Sequence, residues 1–356
     1  MPEGLTTTGR RGILMTTDAV GGVWRYTLDL ARGAIGRGVP VTLAVLGPAP
    51  DANQRAQARG LNIVSTGLAL DWTAESRVTL AASTEALRAL AARIGAASIH
   101  LHAPALAGVA AWGLPVVAVA HSCVATWWQA VRGGDLPEDF RWRSNATQAG
   151  LAIADAVIAP TKAHAEATRA VYGPLDIDIV RNGAAPPPAV PGIAREPAIL
   201  TAGRLWDEAK NAAALDRIAP ELEVPVRAAG PVAGPNGVAI DLPNLDLLGQ
   251  LDPAGMARAY AGASVYASLG RYEPFGLSVL EAALAGLALV LSDIPSFREL
   301  WEGAAIFVPP DDTPVPALRK ALAQAPGSAQ ARARRYTLAA MVDGTLAVHR
   351  RVGALV

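Results

Sequence analysis

The sequence predicts an α/β protein of two doubly wound, Rossmann-like domains facing each other across a cleft. Three observations predict it. Strand-like apolar runs alternate with segments of helical periodicity along nearly the whole chain, the pattern of parallel sheets covered on both faces. A Pro- and Ala-rich stretch, Ala184 to Pro197, breaks that alternation midway and reads as an interdomain linker. A chain of 356 residues, 51% of them hydrophobic, can fill two cores of ordinary size. The expected divisions are 1–184, 185–335 and 336–356, the last a helix packing back on the N-terminal domain.

Composition narrows the function. The formal net charge is zero, which argues against a nucleic-acid binder held by phosphate contacts. The lysines are Lys162, Lys210 and Lys320, so a lysine inside a motif carries more signal here than another arginine. The single cysteine, Cys123, excludes an intramolecular disulfide and a cysteine-built metal site. No signal peptide and no bilayer-length apolar run are visible, so a cytoplasmic protein is expected, with room for peripheral contact at the inner membrane.

In chain order, Gly12 to Thr17 reads as a buried strand, Asp18 to Gly22 as a loop, Val23 to Arg37 as a helix and Val41 to Leu46 as a second strand. A dinucleotide-binding unit would carry G-x-G-x-x-G at the first turn and an acidic residue ending the second strand. Neither is present, since the second strand ends Val45-Leu46-Gly47. The N–H groups of Gly21 and Gly22 either face a ligand phosphate or only make the turn.

Leu61 to Ser65 reads as a strand and Glu75 to Ile94 as a long helix. Two further strands, Ser98 to Leu101 and Val116 to Ala120, run into His102 and His121. A residue at the carboxyl end of a parallel strand points into the crevice where open α/β sheets bind ligands. His100 and His102 are expected on opposite faces, with one of them lining the crevice. Cys123 to Arg141 reads as a long irregular segment carrying Trp127 and Trp128, whose indoles either stack on a sugar or anchor the loop. A helix from Trp142 to Ile153, a strand Ala156 to Ala159, a helix from Lys162 to Val171 and a strand Ile177 to Val180 complete this half.

Beyond the linker, strands are expected at Ala198 to Ala202, Val226 to Ala229, Leu245 to Leu248, Val265 to Ser268, Ala288 to Ser292 and Ala305 to Val308. Helices follow Asn211, Pro253, Phe275 and Pro314, and Tyr336 to Val352 has helical spacing. Leu269 to Glu299 is the informative stretch, read as strand end, loop, helix, strand and loop. Glu273 lies in the loop, Pro274-Phe275-Gly276 turns into a helix from Leu277, and Glu281 lies in its second turn. The start of such a helix presents free N–H groups and a positive dipole end, suited to an anion or to sugar hydroxyls.

These residues resemble the retaining glycosyltransferases of family 4, the glycosyl transferases group 1, which have the two-domain GT-B fold. The resemblance covers nearly the whole chain. It rests on Gly21-Gly22, on His121 after an apolar strand, on A-P-T-x-A at Ala159 to Ala163 and on Y-G…I-V-R-N-G from Tyr172 to Gly183. It continues with G-R-L…K-N from Gly203 to Asn211 and E-P-F-G-L…E-A…G from Glu273 to Gly286. The two glutamates, with seven residues between them, are the most specific element. One departure is Asn182-Gly183-Ala184-Ala185, which lacks the acidic residue usual soon after Asn-Gly.

The resemblance implies an acceptor-side N-terminal domain and a donor-binding C-terminal domain. It implies transfer of a hexosyl group from a UDP- or GDP-sugar to the hydroxyl of a carbohydrate, lipid or small-metabolite acceptor. No cofactor beyond the nucleotide sugar is implied. A metal-dependent enzyme of the other common design would carry Asp-x-Asp at a strand end, and none occurs here. Arg204 and Lys210 are instead positioned in sequence to meet the developing phosphate charge. By resemblance Glu281 binds the ribose hydroxyls. Glu273 and the N–H groups of Phe275, Gly276 and Leu277 hold the donor sugar, and Gly21 and Gly22 meet the diphosphate. His121 is implied at the donor sugar or the reacting region. Asp18, Trp24, Arg25, His102, Trp127 and Trp128 are the acceptor-side candidates. No carboxylate stands out as a covalent nucleophile, so a front-face substitution is expected. A GT-B sugar phosphorylase, a nucleotide-sugar epimerase and a catalytically silent binding protein are the alternatives. The joint presence of Arg204, Lys210, Glu273 and Glu281 argues against the last.

Overall fold

A computed structural model describes residues 12–234, 237–310, 312–325 and 327–355. The chain divides into two compact units. Unit one takes the described residues up to Gln129, then Gly133–Arg181 and the segment from Leu338 onward; unit two takes 130–132 and Asn182–Thr337.

Unit one alternates strand and helix: β1 (Ile13–Asp18), α1 (Gly22–Gly36), β2 (Val41–Leu46), α2 (Ala52–Gln57), β3 (Asn62–Ser65) and α3 (Arg77–Ile94). It continues with β4 (Ser98–Leu101), a 3-10 turn at Pro104–Val109, β5 (Val116–Val119), α4 (Val124–Val131), α5 (Glu138–Ile153), β6 (Ala156–Ala159), α6 (Lys162–Tyr172) and β7 (Ile177–Ile179). The strands form one parallel sheet in the order β3-β2-β1-β4-β5-β6-β7. Strand order reverses between β1 and β4, which defines the topological switch point. β2, β4, β5 and β6 are buried along their whole length, as expected of strands covered on both faces.

Unit two holds β8 (Ile199–Ala202), α7 (Ala212–Ile218), β9 (Val226–Ala229), β10 (Asp246–Gly249), α8 (Pro253–Gly262) and β11 (Val265–Ser268). α9 (Leu277–Leu284), β12 (Ala288–Ser292), α10 (Pro295–Trp301), β13 (Ile306–Val308), α11 (Val315–Leu322) and α12 (Gln330–Ala333) follow. Its parallel sheet runs β10-β9-β8-β11-β12-β13, with the switch point between β8 and β11. The final helix, α13 (Leu338–Arg351), belongs to unit one, where it packs along α1. The approach is close because Gly33 faces Val342: a Cβ there would sit 2.3 Å from the valine Cγ2. Val348 joins Val117, Val119, Ile158 and Val180 in one apolar cluster.

Two segments differ from the sequence reading. Most of Cys123 to Arg141 is helical, since α4 and the first turn of α5 occupy it. Glu138 and Asp139 sit in that first turn, where the helix dipole favours acidic residues. α10, read as loop, buries Phe297, Leu300 and Trp301 completely, each worth roughly 1.5–3 kcal/mol of apolar transfer. At seven residues it is too short to display a clear period. Among the described residues no helix is long and apolar enough to cross a membrane.

Candidate active site

In unit two the motif residues gather at the carboxyl ends of β8 and β11. Gly203 and Gly230, with φ of 155° and 136°, let the loops after β8 and β9 touch backbone to backbone. A Cβ on Gly230 would lie 1.8 Å from the Gly203 carbonyl oxygen, so no side chain fits there. Beyond Gly203 the chain makes a 3-10 turn, Glu208–Lys210, capped by Asp207, whose Oδ1 accepts from the Ala209 N–H at 3.0 Å. The other Asp207 oxygen takes the Arg204 guanidinium at 2.8 Å.

Asn211 then adopts a left-handed conformation, φ 53°, and its side-chain amide donates to the Leu269 carbonyl at 3.0 Å. The Arg271 N–H donates to Ala209 O at 2.8 Å. These two bonds fasten the loop after β8 to the loop after β11. They bring Lys210 Nζ within 2.5 Å of Glu273 Oε2, with both side chains largely buried. A charge pair with so little solvent around it is costly to separate and holds both groups in one geometry. The Glu273 backbone is held in turn by Ser296, whose hydroxyl donates to its carbonyl at 2.5 Å.

Gly276, at φ 86°, is the N-cap residue of α9 and gives the helix no side-chain cap. The first turn therefore has N–H groups to offer a ligand. Phe275 contributes backbone alone, for its ring is buried edge-on against Tyr336. Glu281 Oε2 accepts from the hydroxyl of Tyr260, on α8, at 3.1 Å. Tyr266 places its hydroxyl on the Ala202 N–H and carbonyl, both at 3.1 Å. Burial pushes the Tyr266 phenol up, and the nearby Glu273 and Glu281 carboxylates add to the shift. Arg204, Lys210, Glu273, Phe275, Gly276, Leu277 and Glu281 thus line one end of one sheet.

In unit one the candidates lie at the carboxyl ends of β1, β4 and β5. Asp18 ends β1 and accepts from the Val20 N–H at 2.8 Å. Gly21, at φ 73°, and Gly22 are exposed at the start of α1, which has no side-chain cap and no acidic residue in its first turn. His121 Nε2 lies 2.8 Å from His102 Nδ1. Tyr26 meets both rings edge-on, at 5.4 Å from His102 and 4.7 Å from His121. His100 and His102 do not point to opposite faces. Side chains two apart on a strand share a side, and these rings are 4.8 Å apart. His100 is fully buried and reaches His349 of α13, Nδ1 to Nε2, at 3.0 Å; His349 Nδ1 lies 3.0 Å from Ser98 Oγ.

The remaining acceptor candidates are scattered. Trp24 is 4% exposed and its indole N–H donates to Gln57 at 3.2 Å, so it builds core and is not free to form an acceptor surface. Arg25 pairs with Asp29 one helical turn on. Trp127 and Trp128 sit on α4, half-buried, their rings 6.3 Å apart, and Trp128 packs against Phe140. Tyr26, Tyr260, Tyr266, Asp207 and His349 are not among the residues that sequence reasoning selected. Their one signal is a polar atom on an apolar face, which needs a partner that only the fold reveals.

The comparisons follow the same division. The model of Glycosyltransferase Family 4 matches residues 20–186, and that of Glycosyl transferases group 1 matches residues 196–325. The D-inositol 3-phosphate glycosyltransferase of Gordonia bronchialis is 30% identical over 218 residues. That match takes in 51% of this chain and 47% of the relative, so it spans about half the length of each. Among solved structures, sucrose-phosphate synthase from Thermosynechococcus elongatus superposes with a TM-score of 0.76 at 19% identity, over 97% of this chain and 100% of that one. HepE of Anabaena, in complex with UDP and glucose, gives 0.69 at 16% identity, over 95% and 100%. Likeness at such identities speaks for the fold. With one family model over residues 20–186 and another over residues 196–325, the chain belongs to the family 4 glycosyltransferases and has the GT-B fold.

Proposed function

We propose that this chain is a retaining hexosyltransferase that moves a hexosyl group from a UDP- or GDP-sugar to an acceptor hydroxyl, without a metal, by front-face substitution. The observation that carries the reading is the Lys210–Glu273 pair, held at 2.5 Å beside the uncapped start of α9, with Glu281 one turn further on. One cation, one sugar-binding carboxylate, a set of helix N–H groups and one ribose-binding carboxylate are what a nucleotide sugar requires. Unit two is the donor side in this reading and unit one the acceptor side.

In the reaction the bond between the anomeric carbon and the β-phosphate oxygen breaks while the acceptor oxygen bonds to that carbon on the same face. The acceptor proton passes to the departing phosphate oxygen, so no separate base is needed. Negative charge grows on the phosphate as the bond breaks, and Arg204 and Lys210 are the cations assigned to it. Glu273 and the Phe275–Leu277 backbone hold the sugar, Glu281 the ribose, and the Gly21 and Gly22 N–H groups the diphosphate. The acceptor is a carbohydrate, lipid or small metabolite that presents a hydroxyl. The UDP-bound HepE structure makes UDP the first nucleotide to try.

The test is thermal stability against UDP, GDP, ADP and dTDP with EDTA present. A ligand at a hundred times its dissociation constant adds roughly 2.7 kcal/mol of stability. One nucleotide raising the melting temperature, with the rise lost in Glu281→Ala, supports the reading. No shift with any of the four overturns it.

A further inference from the structure

Four of the five histidines meet in unit one, and their hydrogen bonds fix their protons. In the pair His102–His121, one nitrogen must carry the hydrogen and the other must accept it. His102 Nε2 is buried and has no partner among the described residues. Were His121 the donor, His102 would have to carry its own proton on that sealed Nε2, leaving a buried N–H without an acceptor. A buried, unpaired N–H is rarer in proteins than an under-used acceptor. The bare lone pair therefore belongs on His102 Nε2 and the proton on His102 Nδ1, which donates to His121 Nε2. A neutral His121 must then carry its proton on Nδ1. The same rule works on the second pair. His100 Nε2 is also buried and unpartnered, so His100 Nδ1–H donates to His349 Nε2, and His349 Nδ1–H donates to Ser98 Oγ. Both pairs resolve without contradiction.

We infer that His121 is locked as its neutral Nδ1–H form, a one-way hydrogen-bond donor to a ligand oxygen, and that His102 is the positioning residue that holds it there. His121 is half-buried, and its Nδ1 makes no hydrogen bond among the described residues. The inference rests on the expectation, carried by the family resemblance, that His121 faces the donor sugar or the reacting region. It adds that His121 serves a hydroxyl or phosphate oxygen there and cannot accept the attacking hydroxyl's proton on Nδ1. The groups that act on the pair are His100 on β4 and His164 on α6, with the Tyr26 ring of α1 edge-on to both imidazoles. Burial, with His164 adding to it, lowers His121 to about 3.

The test begins with nitrogen NMR of histidine-labelled full-length protein. His121 is expected to carry its proton on Nδ1 and to stay unchanged from about pH 6 to 8, the span in which an ordinary histidine titrates. A proton on Nε2, or titration within that span, overturns the inference. The second arm compares His102→Asn with His102→Asp, which have the same shape but opposite hydrogen-bonding sense. UDP released from UDP-glucose is the readout. His102→Asn can still donate, whereas His102→Asp reverses the bond, so at high pH kcat/KM of the Asp variant should lie roughly 10- to 100-fold below that of the Asn variant. The Asp variant should regain activity as pH falls, because the new carboxylate favours an imidazolium that carries Nδ1–H again. Equal losses in both variants would reduce His102 to packing and overturn its role. If His121→Ala left turnover unchanged, the placement of His121 at the sugar would fail while the NMR result on the wild type stood.

Discussion

A single residue pair carries the proposed chemistry. Lys210 and Glu273 come from loops that share little sequence context, and two backbone-directed bonds, Asn211 to Leu269 and Arg271 to Ala209, bring them together. In the proposed site each member holds the other in place for the substrate. Lys210→Ala and Glu273→Ala should each lower kcat for UDP release from UDP-glucose by roughly 100- to 1,000-fold, the usual loss when one transition-state contact is removed. Both variants should remain folded, with a circular-dichroism melt to show it. Turnover near wild type in either would remove the pair from the site. Position 230 sets the limit on what this region tolerates. A side chain there would collide with the Gly203 carbonyl, so the loop that leads to Lys210 depends on a glycine in the loop after β9.

At the scale of elements, α8 reaches under α9. The Tyr260 side chain is buried and its hydroxyl meets the Glu281 carboxylate, so one helix orients the functional group of the next. Tyr260→Phe keeps the ring and removes only that bond. A hydrogen bond to a charged group contributes about 1.5–3 kcal/mol, so UDP should bind roughly tenfold more weakly or worse. The preference for UDP over 2′-deoxy-UDP should fall with it, because Glu281 is the proposed ribose ligand. Calorimetric titration of both nucleotides checks this, and an unchanged preference would make Tyr260 purely a packing residue. The helix that presents Glu281 was legible beforehand from Gly276 and the apolar run after it, as were most of the strands. The bond from Tyr260 was not, since nothing in a sequence links a tyrosine hydroxyl to a carboxylate on another helix. The sequence does not announce the tryptophan segment as helix because α4 is only eight residues long, too short for its period to stand out. His100 and His102 were misplaced for a different reason. The period of a strand does decide their side, and it puts both on the same one.

Across the whole of unit one, four histidines tie stability to pH. His100, His102, His121 and His349 are all lowered from the ordinary histidine value by burial, His349 to about 4 and His121 to about 3. When unfolded they would titrate near 6.5. Below that pH the unfolded chain binds protons that the folded chain refuses, so stability falls as pH falls; above it both states are neutral and these groups contribute no slope. The window runs from about 6.5 down to 4 and below, and each histidine that stays neutral there contributes up to about 1.4 kcal/mol per pH unit. Urea unfolding followed by tryptophan fluorescence should therefore give a flat stability from about pH 8 to 7 and a steep loss below about pH 6. His349→Gln should flatten that loss by the equivalent of one proton, even if it lowers stability at neutral pH. An acid limb as steep in His349→Gln as in the wild type would mean that the terminal helix brings no titrating group into unit one's core. A flatter limb would show that His349, held neutral against His100 in the fold, is one of the groups whose protonation unfolds unit one.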